Sequence, residues 1–314
     1  MEAMLASLVT LLLAFALDRW FGEPRARWHP VVWMGRYLDW AGRRIAPPVG
    51  VVSRHAFVRG VLAWGAGALL VLVVALSLQA ALDRLPAWAA AVLAAVALKP
   101  LLAWRMLREE TVAVEQALGE SLQAGRERLQ HLVSRDVAQL DEAGVRESAI
   151  ESLAENLNDS VVAPVFWFVL LGLPGAALYR FANTADAMWG YRGERGGRVW
   201  EQAGKCAARA DDVLSWLPAR LTALLIAVAR RGLAWAVLRR EAARTASPNS
   251  GWPMAAMALA LDVRLGKPGV YTLNAEARAP LPADGLQAQA IAARAVVLLL
   301  ALAAVAITLG PWNA

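Results

Sequence analysis

Three carboxylates and two amides occur at helical spacing in Glu151-Ser-Leu-Ala-Glu-Asn-Leu-Asn-Asp159, directly before an apolar segment over 161–173. At about 100° per residue, Glu151, Glu155, Asn158 and Asp159 share about a third of a helix circumference. Like charges beside a low-dielectric region cost free energy unless a cation or water is close. The pattern predicts a site for Mg²⁺ or for a positively charged group. Glu147 continues the four-residue ladder but drifts off that face, which predicts a solvated side chain.

Other polar groups recur near the ends of apolar segments. They include Asn183-Thr-Ala-Asp186, the stretch from Tyr191 to Arg195, the pair Asp211-Asp212, and Ser247-Pro-Asn249-Ser-Gly-Trp-Pro253. Asp212, Trp216 and Arg220 follow at four-residue intervals, which predicts one helix face. Pro and Gly around Asn249 predict a turn that presents its side chain and backbone N–H groups. Smaller groups are His29-Pro30 and Ser134-Arg135-Asp136. Taken singly, each reads equally as a cap, a solvated helix end or an ion pair, and His29 before Pro reads as a structural hydrogen-bonder. Taken together, acids, amides and arginines suit an anionic, metal-bound phosphate. Gly65-Ala-Gly67 lacks a third glycine and predicts close helix packing instead of dinucleotide binding. Neither Gly204-Lys205 nor Gly266-Lys267 has the first glycine of a phosphate loop, and no His-Glu-x-x-His motif is present. The single cysteine, Cys206, excludes an internal disulfide and a thiolate cage.

The elements that must position these groups are apolar helices. Hydrophobic residues make up 58% of the 314, charged residues 18%, and there are 14 Trp. Mean hydropathy is +0.43. Spans are predicted over 4–21, 61–82, 87–104 and 291–309, each near the ~20 residues that cross a bilayer. The first is read as a retained helix, not a cleaved signal. Basic residues crowd 22–60, whereas the 83–86 turn is nearly neutral. The positive-inside tendency then places 22–60 and 105–160 in the cytoplasm, with the N-terminus, the 83–86 turn and the stretch from Gly310 outside. Trp28, Trp33 and Trp40 read as an interfacial belt. The segments 161–179 and 213–235 contain Pro and Gly and are each followed by basic residues. One or both are expected to be broken or re-entrant, returning to the cytoplasmic side; six ordinary spans are the alternative. Helices are predicted over 106–122, 125–140 and 143–157, the last capped by Asp141. The expectation is an all-α polytopic membrane helix bundle, a single integral domain over 1–314 with a cytoplasmic helical insertion at about 105–160.

Blocks across the chain resemble the adenosylcobinamide-phosphate synthase family of cobalamin biosynthesis. They are His29-Pro-Val-Val-Trp-Met-Gly-Arg36, Ser134-Arg-Asp136, the Glu151–Asp159 block, Val162-Ala-Pro164, the run from Asn183 to Tyr191, Asp211-Asp212, Pro218-Ala-Arg220 and the Ser247–Pro253 block. The blocks follow the family's order and spacing from about residue 10 to 270. Departures stand at Ser160, Ala187, Gly193, Ser215 and Met254. None removes a motif carboxylate, but Met254 stands where the family often has Glu, so that position receives no role.

The resemblance implies a bacterial inner-membrane, multi-pass enzyme with its active face in the cytoplasm. It would join adenosylcobyric acid to (R)-1-aminopropan-2-ol O-2-phosphate, or a related aminoalcohol, consuming ATP and forming an amide. Glu151, Glu155, Asp159, Asp186, Asp211 and Asp212 are then the expected catalytic acids. Mg²⁺ would be held by acids such as Glu155, Asp159 and Asp186. Asp211 or Asp212 would take a proton from the attacking ammonium. Arg135, Asp136, Asn156, Asn183, Tyr191, Arg195, Arg220 and Asn249 are expected to bind the phosphate-bearing substrates. Implied partners are the corrinoid, the aminoalcohol phosphate, the lipid bilayer and other late cobalamin-pathway membrane enzymes, with no nucleic acid. Two other classes fit the polar face: a signalling or regulatory membrane protein of the same superfamily, and a membrane transferase acting on a diphosphate lipid.

Overall fold

Apolar length and Pro/Gly punctuation set where the chain turns. In a computed structural model, residues 2–51, 53–133 and 136–309 are described. Among them run α1 (Glu2–Phe21), α2 (Pro30–Ile45), α3 (Ala56–Leu82), α4 (Ala87–Leu98), α5 (Trp104–Glu120), α6 (Leu122–Leu129), α7 (Glu142–Leu157), α8 (Ala163–Trp189), α9 (Lys205–Leu214), α10 (Trp216–Ala229), α11 (Trp235–Ala242), α12 (Gly251–Leu261) and α13 (Pro282–Leu309). Two antiparallel hairpins join β1 (Glu194–Arg195) to β2 (Arg198–Val199) and β3 (Leu265–Lys267) to β4 (Tyr271–Leu273). The all-α polytopic expectation holds. Among the described residues, five helical stretches are long and apolar enough to cross a membrane, and up to six if α9 and α10 make one broken span.

The segments over 161–179 and 213–235 are both interrupted. In α8, Gly172 adopts φ 66° and ψ −156°, two residues before Pro174, a backbone region that a side chain penalises. The other segment stops at Ser215 and restarts at Trp216. Asp212 and Arg220 therefore belong to different helices, and the single face expected for them does not form. The helix expected over 125–140 also fails, because α6 ends at Leu129. Farther along the chain, the Asp136 carboxylate accepts from the Ala138 amide at 2.9 Å, a local turn outside any helix. By contrast, Asp141 caps α7 as expected, accepting from Gly144 at 2.8 Å.

The chain folds as two compact, interleaved units. The first takes residues 2–103, 163–215 and 303–309; the second takes 104–162 and 216–302. In the first, α1 lies against α4, Leu11 and Ala14 of α1 and Ala91 and Ala95 of α4 are buried, and Thr10 donates to the Ala91 carbonyl at 3.2 Å. Small residues allow that approach. The helix α8 packs on α2, α3 and α9. Gly67 lets the rings of Phe181 and Tyr37 come close, for a Cβ there would lie 2.4 Å from Phe181 and 2.6 Å from Tyr37. Gly65 has open space around it, so only one glycine of that pair serves packing.

The first unit also buries charge. Lys99, 6% exposed, points its Nζ at Asp18 (3.7 Å) and Glu23 (3.3 Å). His29 caps α2 by accepting from Val31 through Nδ1 at 3.2 Å, and its Nε2 meets Glu23 at 2.9 Å. Burial pushes the Glu23 carboxyl up, but the His29 hydrogen bond and the Lys99 charge outweigh it and hold the group below its ordinary 4.5. A depressed carboxyl contributes stability above its unfolded value and loses it as pH falls through the folded one. The expected result is a melting temperature that drops below about pH 4.5, with a shallower drop in Glu23→Gln; parallel pH profiles would refute it.

In the second unit, α5, α6 and α7 pack together, and α12 packs on α7, α10 and α11. The hairpin β3–β4 lies on α12 and reaches α7 through β3. Arg278 binds Asp284 at 2.6 and 2.9 Å, and the Leu281 amide also donates to Asp284, which fixes the start of α13.

Candidate functional site

The acid-rich block lies in the second unit and spans a change of helix type. After α7, Asn158–Val162 form a five-residue π-helical turn. Such turns widen the helix by one residue and recur at functional sites. The widening carries Asn158 inward, where it is buried. Its Nδ2 donates to Asp159 Oδ1 at 2.8 Å, and its Oδ1 accepts from the Thr222 hydroxyl at 3.1 Å. Thr222 also reaches the Pro218 carbonyl at 2.9 Å. The amide thus holds the Asp159 carboxylate in one orientation while Asp159 and Glu155 stay partly open.

One turn earlier, Glu151 is buried and accepts from the Tyr271 hydroxyl, delivered by β4. Glu147, expected to be solvated, is instead buried and meets Arg264 Nε at 3.0 Å. The drift off the acidic face turns it toward β3, not toward water. Asn156 bonds within its own helix, to the Ser152 carbonyl (3.0 Å) and hydroxyl (3.2 Å). Asp136 sits in the turn already described, and Arg135 lies outside the described residues.

Arg220 and Asn249, expected to bind substrate, meet in the same unit. Arg220 Nη1 donates to Asn249 Oδ1 at 2.7 Å and to the Trp216 carbonyl at 2.8 Å, and Nη2 donates to the Pro248 carbonyl at 3.0 Å. Its guanidinium also faces Trp216 and Trp252, 4.5 and 4.9 Å from the ring centres. Neutral oxygens and two π faces stiffen the cation without neutralising it. Among the described residues no carboxylate pairs with it, so its charge remains available to an anion.

The first unit carries the remaining candidates. On α8, Tyr179, Asn183 and Asp186 recur at intervals that share a face. Asn183 donates to Asp211 Oδ1 at 3.3 Å, Ser215 donates to the same oxygen at 3.4 Å, and Tyr179 meets the Ser215 hydroxyl at 3.1 Å. Asp211 is thus the anchored acid, and Asp212 beside it is half-buried. Asp186 rests against Gly190, where a Cβ would lie 1.9 Å from its Oδ1. Beyond α8, Arg195 stacks 3.8 Å over the Tyr191 ring. Both line a cavity of about 490 Å³ with Asp39, Arg43, Trp189 and Trp200.

Among the described residues, no three His, Cys, Asp or Glu side chains gather as a metal cage. Magnesium does not require one: it keeps waters and takes one or two carboxylates plus substrate phosphates. The oxygen-only donor set of Glu155 and Asp159, steadied by Asn158, suits that mode. Sequence reasoning missed Tyr271, Thr222, Arg264, Tyr179 and Ser215. Their partners are 36 to 120 residues distant in most cases, as for Tyr179 and Ser215 at 36 and Tyr271 and Glu151 at 120, and no local spacing marks them.

A family model described as CobD/Cbib protein matches residues 11–307. A protein named probable cobalamin biosynthesis protein CobD from Methanothermobacter thermautotrophicus is 40% identical over 282 residues, 88% of each chain. Cobalamin biosynthesis protein CobD from Chromobacterium violaceum is 44% identical over 281 residues, 88% of this chain and 86% of that one. A third, probable cobalamin biosynthesis protein CobD from Thermococcus kodakarensis, is 43% identical over 271 residues, 84% of each. No solved structure matches the chain.

Proposed function

Because the chain belongs to the CobD/Cbib protein family, we propose that it is the ATP-dependent ligase that joins adenosylcobyric acid to an aminoalcohol phosphate. The product would be adenosylcobinamide phosphate. A carboxylate is a poor electrophile, so the reaction needs the corrin carboxylate phosphorylated by ATP before the amine attacks. The attack forms the amide, expels phosphate and releases a proton.

The observation that carries this reading is the oriented Asp159 at the π-turn, in a family whose members are named for cobalamin biosynthesis. Glu155 and Asp159 would hold a Mg²⁺ ion, which would supply charge neutralisation to the nucleotide phosphates; Asp186, in the other unit, is a separate candidate for cation binding. Asn158 and Thr222 hold Asp159 in place. Arg220, stiffened by Trp216, Trp252 and Asn249, binds a phosphate bidentately. Asp211, anchored by Asn183 and Ser215, or its neighbour Asp212, accepts the proton of the attacking ammonium. Tyr191 and Arg195 offer a stacking and anion-binding wall to a large amide-bearing substrate. We assign the enzyme to the bacterial inner membrane with this chemistry on the cytoplasmic side, where ATP is.

The test is direct. Membranes containing the protein should consume adenosylcobyric acid only when ATP, Mg²⁺ and the aminoalcohol phosphate are all supplied, releasing phosphate with the amide. Turnover without ATP, or none with the complete mixture, overturns the assignment.

A further inference from the structure

A basic cleft in the first unit adjoins the Tyr191–Arg195 cavity and shares Arg43 and Arg198 with it, but its other basic residues take no part in the chemistry above. The loop after α2 runs beside the β1–β2 hairpin and is pinned to it: Val49 donates to the Gly197 carbonyl at 3.1 Å, and Val199 donates to the Pro47 carbonyl at 2.9 Å. Between this backbone patch and the start of α3 is a cavity of about 810 Å³. Among the described residues its wall holds Arg43, Arg44, Arg54, His55, Arg59 and Arg198, and no acid. Arg43 is matched by Asp39 at 2.6 Å. Arg198 spends Nη1 on the Ala46 carbonyl at 2.6 Å, and Arg44 stacks 4.2 Å over the Trp40 ring. Those contacts are with neutral groups and leave both charges in place. Most of these side chains are exposed around one opening with no acid on its wall, which gives the cleft a positive potential that attracts an anion.

We propose that this cleft binds the phosphate of an acidic phospholipid headgroup. The shared chemistry is a phosphate ester, and the surroundings favour the lipid source. Arg59 lies within the first turn of α3, a 27-residue apolar helix long enough to cross a membrane. On α3 beside it, Phe57, Val58, Val61 and Leu62 are 40, 52, 37 and 67% exposed. Trp33 and Trp40 on α2 are 48 and 54% exposed, where interfacial indoles serve. A headgroup in the cleft leaves its acyl chains along this exposed apolar face. A soluble phosphate ester uses no such wall. Basic pockets at the membrane boundary bind anionic lipids by this combination.

The test uses the full chain in detergent, with lipid retention read by native mass spectrometry. Dioleoyl phosphatidylglycerol should be retained about tenfold or more over dioleoyl phosphatidylcholine. Arg54→Gln/Arg59→Gln should lose about tenfold of that retention, each single variant a few-fold, and Arg54→Lys/Arg59→Lys little. The charge-matched control Arg84→Gln/Arg239→Gln should behave as wild type. Both arginines of the test pair are exposed, so their removal leaves folding intact, checked by an unchanged melting temperature. Unchanged retention in the Arg54→Gln/Arg59→Gln variant, or equal loss in the control, overturns the proposal. Release of phosphatidylglycerol by equimolar glycerol 3-phosphate overturns the lipid source and assigns the cleft to a soluble phosphate.

Discussion

Asp159→Asn and Asp186→Asn are each expected to lower the ATP- and Mg²⁺-dependent rate by about 10²-fold or more while the protein still folds and inserts. Both exchanges keep the side-chain shape and remove one charge. At Asp159 the neighbouring Asn158 amide still finds an oxygen acceptor, so the π-turn has no reason to rearrange. At Asp186 the contact with Gly190 depends on shape, which asparagine reproduces. What changes is attraction for a hard cation and for cationic substrate groups. The check is initial rate against Mg²⁺ concentration, with helicity and membrane yield as controls. Loss of rate that excess Mg²⁺ partly restores at Asp159→Asn supports a ligand role. Near-normal synthesis by both variants sinks the metal-site reading.

The second large effect concerns stability. Lys99→Met should destabilise the protein by about 3–5 kcal/mol, the cost of stripping one member from a buried ion group. Asp18 is fully buried and Glu23 partly so, and both lose the ammonium that faces them. The Lys99 Nζ contacts are ion pairs without aligned hydrogen bonds, so charge, not geometry, is what the variant removes. Asp18→Asn/Lys99→Met should recover part of the loss, since the double exchange deletes a charge of each sign. Equilibrium unfolding in mixed micelles measures both. A Lys99→Met protein as stable as wild type, or a double variant no better than the single, would show that the group is not coupled.

The legible parts of this molecule were those whose causes are local. The Asp141 cap, the apolar span over 61–82 that became most of α3, and the break at Gly172 and Pro174 follow from short-range chemistry written at those positions. The acidic ladder of α7 was legible as a pattern, but the roles of its rungs were not. Glu147 pairs with Arg264 across 117 residues and Glu151 with Tyr271 across 120, and a helical wheel has no access to such partners. The same limit applies to Asn158, whose clamp on Asp159 depends on Thr222, 64 residues on. Periodicity also misled at helix ends. Spacing carried a helix to 140 where α6 ends at Leu129, and the stop at Ser215 split the Asp212–Arg220 ladder.

The interleaving of the two units has a consequence for synthesis. The ribosome emits the chain from the N-terminus, yet the second unit needs residues 216–302 to complete what 104–162 begin. Glu151 leaves the ribosome 120 residues before Tyr271. At typical elongation rates that interval is on the order of 6–24 s. Throughout it Glu151 exists without the β3–β4 hairpin that will supply its Tyr271 partner. The acid-bearing helix must therefore wait without its later partners, and the unit that carries it can close only after most of the protein has been made.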